Sequence, residues 1–184
     1  MAEQLREIML SDRKDIYRRE ILPNLGFDPT EWLEAHSFFT APASTKYHGA
    51  YEGGLFDHSM NVTRALKQFT RDSHLHWERK ESPYIVGFFH DLCKTDQYRL
   101  VCDIPIYEYV KDTLLKGHGD KSVMLLSQLT SLTEEEVACI RYHMGAFCEK
   151  EEWNDFTGAI HKWPNVLWTH TADMVAAHIT EVEK

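Results

Sequence analysis

One short segment of the chain carries the residue types of a metal centre. The apolar run Ile85–Phe89 leads directly into adjacent His90 and Asp91, and Lys94 follows shortly after. Burying an imidazole and a carboxylate at the end of an apolar helix is costly unless a partner compensates for their lost hydration. Imidazole nitrogen and carboxylate oxygen both suit divalent first-row metal ions, and the two oxygens of Asp91 could bridge two ions. The segment therefore indicates a buried metal site.

Four further potential ligands recur along the chain, each about one helix plus a loop from the next. They are His58, His118, His143 and Asp173. Each would come from a different helix or helix end, and all could converge inside a helical bundle, where helical proteins build metal sites. His170 precedes Asp173 by one turn and could support the site from behind, although a histidine on its own is more often a hydrogen-bonded core residue.

The elements that would position these residues are predicted to be helical. The spacing of apolar residues predicts helices over 3–22, 55–71, 84–92, 121–129, 133–144 and 165–182, with a short helix after Asp28. Thr133 and Glu136 form the pattern of a capping box. The segment 98–110 is rich in Val, Ile and Tyr, which predicts a short β-hairpin or an extended loop.

These elements predict an all-α fold in a single domain over 1–184. The motif-bearing core would span about 48–182, behind an N-terminal helical extension over 1–47. The fold class expected is a helical bundle with a short β-hairpin inserted near 98–110.

Composition restricts the partners. A formal net charge of −9 over 184 residues argues against a protein that coats nucleic acid, because such proteins present a broad basic surface to the phosphates. No apolar run approaches the ~20 residues of a membrane helix, so no membrane partner is expected. The four cysteines form no C-x-x-C pair, and the first twenty residues do not resemble a signal peptide. We therefore expect reduced thiols in a cytoplasmic protein.

Taken together, the motifs resemble those of the HD-domain phosphohydrolase superfamily. The resemblance rests on Gly53-Gly-Leu-Phe-Asp-His58, His90-Asp91-Leu-Cys-Lys94, Gly117-His118-Gly-Asp-Lys121, Arg141-Tyr-His143 and Ala172-Asp173-Met. The order His, His-Asp, His, His, Asp is similar to the branch that holds two metal ions. The glycine-led first motif is similar to the HD domain of bacterial 3′-to-5′ exoribonucleases, although no region like their OB fold precedes it here.

The resemblance implies a ligand set. It implies that one divalent ion is held by His58, His90, Asp91 and Asp173. Asp91 would bridge to a second ion held by His118 and His143. Met144 stands where some two-metal relatives have a further histidine. One or two ions of Mn, Fe, Ni, Co or Zn are expected, because mixed histidine and carboxylate ligation suits all of these metals.

The implied activity is hydrolysis of a phosphoester or phosphodiester bond in a small nucleotide-like substrate by a metal-activated hydroxide. Asp91 would act in catalysis through the metal. Lys94, four residues beyond His90, could lean over the site and bring positive charge to the phosphate. Lys121 and His48 are further candidates for substrate binding, although His48 could equally brace the loop in which it lies.

Two other functions remain open at this point. One is an exonuclease acting on short single-stranded nucleic acid, whose binding would depend strongly on salt. The other is a metal-dependent nucleotide sensor without turnover. The acidic net charge favours a small nucleotide over nucleic acid as the partner, and the sequence leaves the oligomeric state open.

Overall fold

In the computed structural model, the chain is built from α-helices and one short β-hairpin. The structure describes residues 2–101, 106–111, 113, 115 and 117–181, without the side chains of 2–8 and 146. Within these residues the α-helices are α1 Ala2–Glu20, α2 Thr30–Ala35, α3 Gly54–Asp72, α4 Ser82–Phe89, α5 Gly119–Leu126, α6 Glu134–Arg141, α7 Trp153–Lys162 and α8 Asn165–Val175. The predicted all-α class is confirmed.

The predicted hairpin is also present. Strand β1 Tyr98–Leu100 pairs antiparallel with strand β2 Tyr107–Tyr109, and Arg99 lies opposite Glu108. The residues that join the two strands lie partly outside the described part of the chain, as does Cys102.

Contacts divide the chain into two compact units, and helix α3 carries residues of both. The first unit comprises Met1–His58 with Lys94–Thr113, and the second comprises Ser59–Cys93 with Leu114–Lys184. The expectation of one domain over 1–184 stays a prediction.

The first unit has an aromatic core and a partly buried ion pair. The ring of Phe39 lies 5.5 Å from that of Tyr17 on α1 and 5.6 Å from that of Phe56 on α3. Arg13 donates two hydrogen bonds to Asp57, the residue directly before His58, over 3.3 and 3.2 Å. Gly53 has φ +85°, and a Cβ at this position would overlap the Arg13 guanidinium. The backbone that leads into His58 is therefore held against α1.

In the second unit, helix α6 packs against α4, α5 and α8, and α8 also contacts α4 and α7. Almost all of α4 is buried, as its continuous apolar sequence predicts. Helix α6 begins at the predicted capping box, in which Thr133 accepts from the Glu136 N–H and Glu136 accepts from the Thr133 N–H. These helices bring together the ends that carry the histidines and aspartates.

A buried carboxylate links the starts of α4 and α6. Besides its cap, Glu136 accepts two hydrogen bonds of 2.7 Å from Arg79 and one of 2.8 Å from Ser82. Glu136 is fully buried, and every one of these bonds compensates for its lost hydration. The network fixes the direction in which α4 enters the second unit.

Two predictions of local structure were wrong in detail. Helix α4 ends at Phe89 rather than at residue 92, and a 3-10 turn follows over Leu92–Thr95. Helix α7 was not predicted: its sequence contains Gly158 and Thr157, and few of its residues are buried. In the part of the chain that the structure describes, no helix is both long enough and apolar enough to span a bilayer.

Candidate metal centre

Histidine and aspartate side chains from four helix ends meet in the second unit. His90 and Asp91 follow the last residue of α4, and His118 directly precedes α5. His143 follows the end of α6 by two residues, and Asp173 lies in the last turns of α8. Five of the six ligands predicted from the sequence therefore lie in one unit, and they come from four different helix ends.

Two glycines allow these helix ends to approach one another. A Cβ on Gly87 in α4 would lie 2.7 Å from the Thr63 Cα on α3, and a Cβ on Gly119 would lie 2.2 Å from the Arg141 carbonyl oxygen at the end of α6. Real Cβ contacts are not this close, so backbone meets backbone at both points. The contact at Gly119 brings the start of α5, with His118, against the end of α6.

Asp91 lies at the centre of the cluster, and its two oxygens face different partners. Oδ1 is 2.8 Å from Nε2 of His118 and 3.4 Å from Nε2 of His143. Oδ2 is 3.3 Å from Nε2 of His90, and that nitrogen is 4.0 Å from Oδ1 of Asp173. Ligand atoms bonded at about 2.0–2.2 Å to one ion lie roughly 3–3.5 Å from one another. The donors are thus close enough to one another to hold a metal ion.

The cluster has a closed side and an open side. His90, Asp91 and His143 are buried, whereas the side chains of His118 and Asp173 are 26% and 15% exposed. Structural metal sites enclose all their ligands, while reactive sites keep a position open to water and substrate. The exposure of His118 and Asp173 leaves such a side.

Hydrogen bonds of the Nδ1 atoms orient two of the rings. His90 Nδ1 donates to the Gly87 carbonyl over 2.9 Å, and His143 Nδ1 donates to the Ile140 carbonyl over 2.6 Å. These carbonyls belong to the last turns of α4 and α6, where carbonyls lack a partner within the helix. Because a carbonyl can only accept, the proton of each neutral ring is on Nδ1 and the lone pair is on the inward-facing Nε2.

This arrangement requires a positive charge beside His143. Its Nε2 is buried and makes no hydrogen bond within the described residues, yet it faces an Asp91 oxygen that can only accept. Burial alone would lower the pKa of His143, but the Asp91 and Asp173 carboxylates and the Ile140 carbonyl outweigh it and raise the pKa above its ordinary value. A proton or a divalent cation stabilises this geometry, so the residues fit a metal.

Two groups of possible ligand atoms lie entirely within the second unit. His143 groups with His90 and Asp173, whereas Asp91 groups with His118 and Cys93, with all donor atoms of each group within 4.8 Å of one another. The resemblance implies that His118 and His143 share one ion, and Oδ1 of Asp91 faces the Nε2 atoms of both. The buried His, Asp and Cys groups could hold metal ions, and the assignment of individual ligands to individual ions stays a prediction.

Cys93 is the residue at this cluster that the sequence reasoning missed. Its Sγ lies 3.4 Å from Nδ1 of His118, and its backbone N–H donates to Ser122 Oγ over 3.0 Å. The sequence showed only a cysteine two residues after Asp91. Its contact with His118 depends on how α5 packs against the turn after α4.

Four further residues were predicted to belong to the site. His58 and His48 belong to the first unit, where their rings lie 4.7 Å apart, and His58 is fully buried. Lys94 is buried in the 3-10 turn Leu92–Thr95, so the continuous helix from His90 assumed for it is not formed. Lys121 is buried in α5. The roles of these four residues stay predictions.

His170 supports the backbone next to the cluster rather than entering it. Its Nδ1 donates to the His143 carbonyl over 2.8 Å. Gly145 has φ +55°, and a Cβ there would lie 2.5 Å from the His170 ring. The His170 ring on α8 therefore packs closely on the loop after α6 and supports the backbone of His143.

No family model matches the chain, and no curated protein or solved structure matches it either.

Proposed function

We propose that the chain is a metal-dependent phosphohydrolase with an HD-type helical fold. Its substrate would be a small nucleotide-like molecule with a phosphoester or phosphodiester bond. The proposal includes one or two divalent ions of Mn, Fe, Ni, Co or Zn and the reduced, cytoplasmic setting expected from the sequence. Cys93, Cys139 and Cys148 are thiols and not disulfides, which is compatible with that setting.

The observation that carries the proposal is the convergence of imidazole lone pairs on a buried carboxylate. His90 and His143 present Nε2 inward because helix-end carbonyls hold their Nδ1 protons. Asp91 faces both with different oxygens. Two buried imidazole nitrogens that face one buried carboxylate are well suited to bind a cation.

In the proposed reaction, bound divalent ions would supply Lewis acidity that lowers the pKa of a water molecule and offsets charge on the phosphate. His90, Asp91, His143 and Asp173 would hold the ion enclosed by the unit. The burial of His90, Asp91 and His143 would exclude bulk water from one side, so that water and substrate approach past His118 and Asp173.

Positive side chains are needed beside an anionic substrate in a chain of net charge −9. Lys121 is buried in the first turn of α5, three residues after His118. Lys94, buried in the turn after α4, is the second candidate. A lysine ammonium group can bind phosphate oxygens as a compact positive charge.

The test compares hydrolysis of bis-p-nitrophenyl phosphate and of p-nitrophenyl phosphate with added Mn²⁺. The variants are Asp91→Ala, which removes the central carboxylate, and Asp155→Ala, which removes an exposed carboxylate of α7. We expect the wild type and Asp155→Ala to hydrolyse the diester, whereas Asp91→Ala should lose both bound metal and turnover.

Each outcome has a clear meaning. Turnover of the monoester alone would replace the phosphodiesterase assignment with a nucleotidase. If full metal loading gives no turnover of these esters, of nucleotides or of short single-stranded RNA, the protein is not a phosphohydrolase, and the sensor function takes its place. Diester turnover that survives Asp91→Ala would refute the site.

A further inference from the structure

We propose that Cys93 is a positioning residue for His118, accepting the Nδ1 proton of its ring through sulfur. The inference rests on the proposed role of the cluster in binding metal, and it concerns a residue that the sequence motifs did not point to. The orientation of the His118 ring would then depend on the thiol of Cys93.

The three histidines of the cluster differ in what holds Nδ1. His90 and His143 follow helix C-termini and use the carbonyls of Gly87 and Ile140, three residues earlier in each case. His118 is the N-cap of α5 and lies at a helix N-terminus. The unpaired backbone groups at a helix N-terminus are N–H donors, so they cannot accept a proton from Nδ1. His118 therefore needs an acceptor from another element.

Cys93 lies where that acceptor is required. Its Sγ is 3.4 Å from Nδ1 of His118, on the opposite side of the ring from the Nε2 that faces Asp91. The distance falls within the range of a hydrogen bond that involves sulfur. Cys93 is fully buried, so water does not reach the thiol to replace it.

A second contact holds the backbone of Cys93 beside α5. The Cys93 backbone N–H donates to Ser122 Oγ over 3.0 Å, and the Ser122 N–H donates to the His118 carbonyl over 3.2 Å. Cys93, Ser122 and His118 thus form a closed ring of contacts between α5 and the turn after α4. These two hydrogen bonds hold the Cys93 backbone close to the start of α5, so that the thiol lies within reach of the His118 ring.

The proton arrangement follows from the two sides of the His118 ring. With a proton on Nε2, that nitrogen lies 2.8 Å from Oδ1 of Asp91, and the neutral Nδ1 can accept from the thiol. When Nε2 binds a cation, the proton of the neutral ring must be on Nδ1, and the sulfur accepts it. Cys93 can accept or donate, so it is suited to both states.

The experiment measures binding of Zn²⁺ and Co²⁺ to the full chain by chelator competition and absorbance. The variants are Cys93→Ala, Cys93→Ser and, as a matched control, Cys139→Ala, which removes another fully buried thiol from the same unit. We expect Cys93→Ala to weaken binding of one metal equivalent by about 10- to 100-fold. Cys93→Ser should restore most of this affinity because its hydroxyl also accepts and donates, and Cys139→Ala should bind as the wild type does.

Two results would overturn the inference. Unchanged affinity of Cys93→Ala would mean that the sulfur does not position His118. An intense sulfur-to-cobalt charge-transfer band in the wild type, absent from Cys93→Ala, would make Cys93 a ligand and not a positioning residue.

This experiment can fail independently of the proposed function because it measures metal affinity and not turnover. A loss of affinity in Cys93→Ala without ester hydrolysis by the wild type would retain this inference and reject the phosphohydrolase. Ester hydrolysis by the wild type together with unchanged metal affinity of Cys93→Ala would retain the phosphohydrolase and reject this inference. A wild type that binds neither Zn²⁺ nor Co²⁺ would reject both.

Discussion

The Nε2 atom of His143 lies 3.4 Å from Oδ1 of Asp91, while Nδ1 of the same ring donates to a helix-end carbonyl. When the ring is neutral, two lone pairs face each other in a fully buried place. A positive charge between them relieves this repulsion. In the absence of metal a proton can supply the charge, and a divalent cation can replace the proton.

The first prediction concerns pH and stability without metal. Although burial opposes protonation, the carboxylates raise the pKa of His143 above the ~6.5 of an unfolded histidine. The folded chain then binds the proton more tightly than the unfolded chain, so His143 stabilises the fold at pH values below ~6.5. That contribution is lost as the pH rises through the folded-state pKa. We expect the unfolding temperature, measured by calorimetry in the presence of a chelator, to fall as the pH rises from ~6.5 through the folded-state pKa of His143.

His143→Asn provides the control, because its unfolding temperature should depend less on pH in the same interval. Saturating metal should also flatten the wild-type profile, since the cation takes the place of the proton. Equal slopes for wild type and His143→Asn would show that another group is responsible.

Lys94 is predicted to act on the substrate and not on the metal. Lys94→Ala should keep bound metal and lower kcat for the diester by about 10²- to 10³-fold, because a positive charge on the phosphate is lost. Metal content by elemental analysis and steady-state kinetics would be measured together. Lys150→Ala removes an exposed lysine and should have wild-type kinetics. Metal loss in Lys94→Ala would indicate a structural role instead.

The approach of α5 to α6 can be tested at Gly119. A Cβ there would lie 2.2 Å from the Arg141 carbonyl oxygen, so Gly119→Ala must displace the start of α5 and with it His118. We expect a loss of about 1–3 kcal/mol in the free energy of unfolding by urea, together with weaker binding of metal.

Gly158 in α7 is the matched position, because a Cβ there meets nothing within 4 Å. Gly158→Ala should stabilise the chain by about 0.5–1 kcal/mol through its helix propensity and leave metal binding unchanged. A Gly119→Ala variant as stable as the wild type would contradict the close packing of the two helices.

The buried carboxylate of Glu136 provides a prediction outside the cluster. Glu136→Ala removes the acceptor of Arg79, of the Ser82 hydroxyl and of the Thr133 N–H. Breaking such a buried pair costs about 3–5 kcal/mol, which urea unfolding would measure. The exposed Glu134→Ala, whose partner Lys162 lies at the surface, should leave the stability almost unchanged. Similar losses in the two variants would argue against the network.

Much of the site was predictable because its chemistry is local in sequence. An apolar helix that ends in His90-Asp91 needs a compensating partner wherever that helix packs. The capping box of Thr133 and Glu136 depends on residues three apart and formed as predicted. Regular spacing of His118, His143 and Asp173 between helical patterns was sufficient to predict that they would come from different helix ends. The helical class followed from the same periodicity.

Helix α7 and the length of α4 were not predictable in this way. Helix α7 contains Gly158 and has little buried surface, so neither propensity nor periodicity identified it. Helix α4 ends at Phe89, and the carbonyl of Gly87 near its end holds the His90 ring. That hydrogen bond is made by the side chain of His90, which follows the helix. The apolar pattern of the helix does not predict it.

By itself, the sequence determined which atoms could bind a cation and that separate helix ends would supply them. Only the tertiary structure decided which nitrogen of each ring faces inward and which neighbour holds the other nitrogen. Carbonyls at the ends of α4 and α6 hold His90 and His143, whereas His118, at a helix N-terminus, lies against the sulfur of Cys93. The reason is physical: ring orientation depends on hydrogen bonds between residues far apart in sequence, and those form only when α4, α5 and α6 pack together.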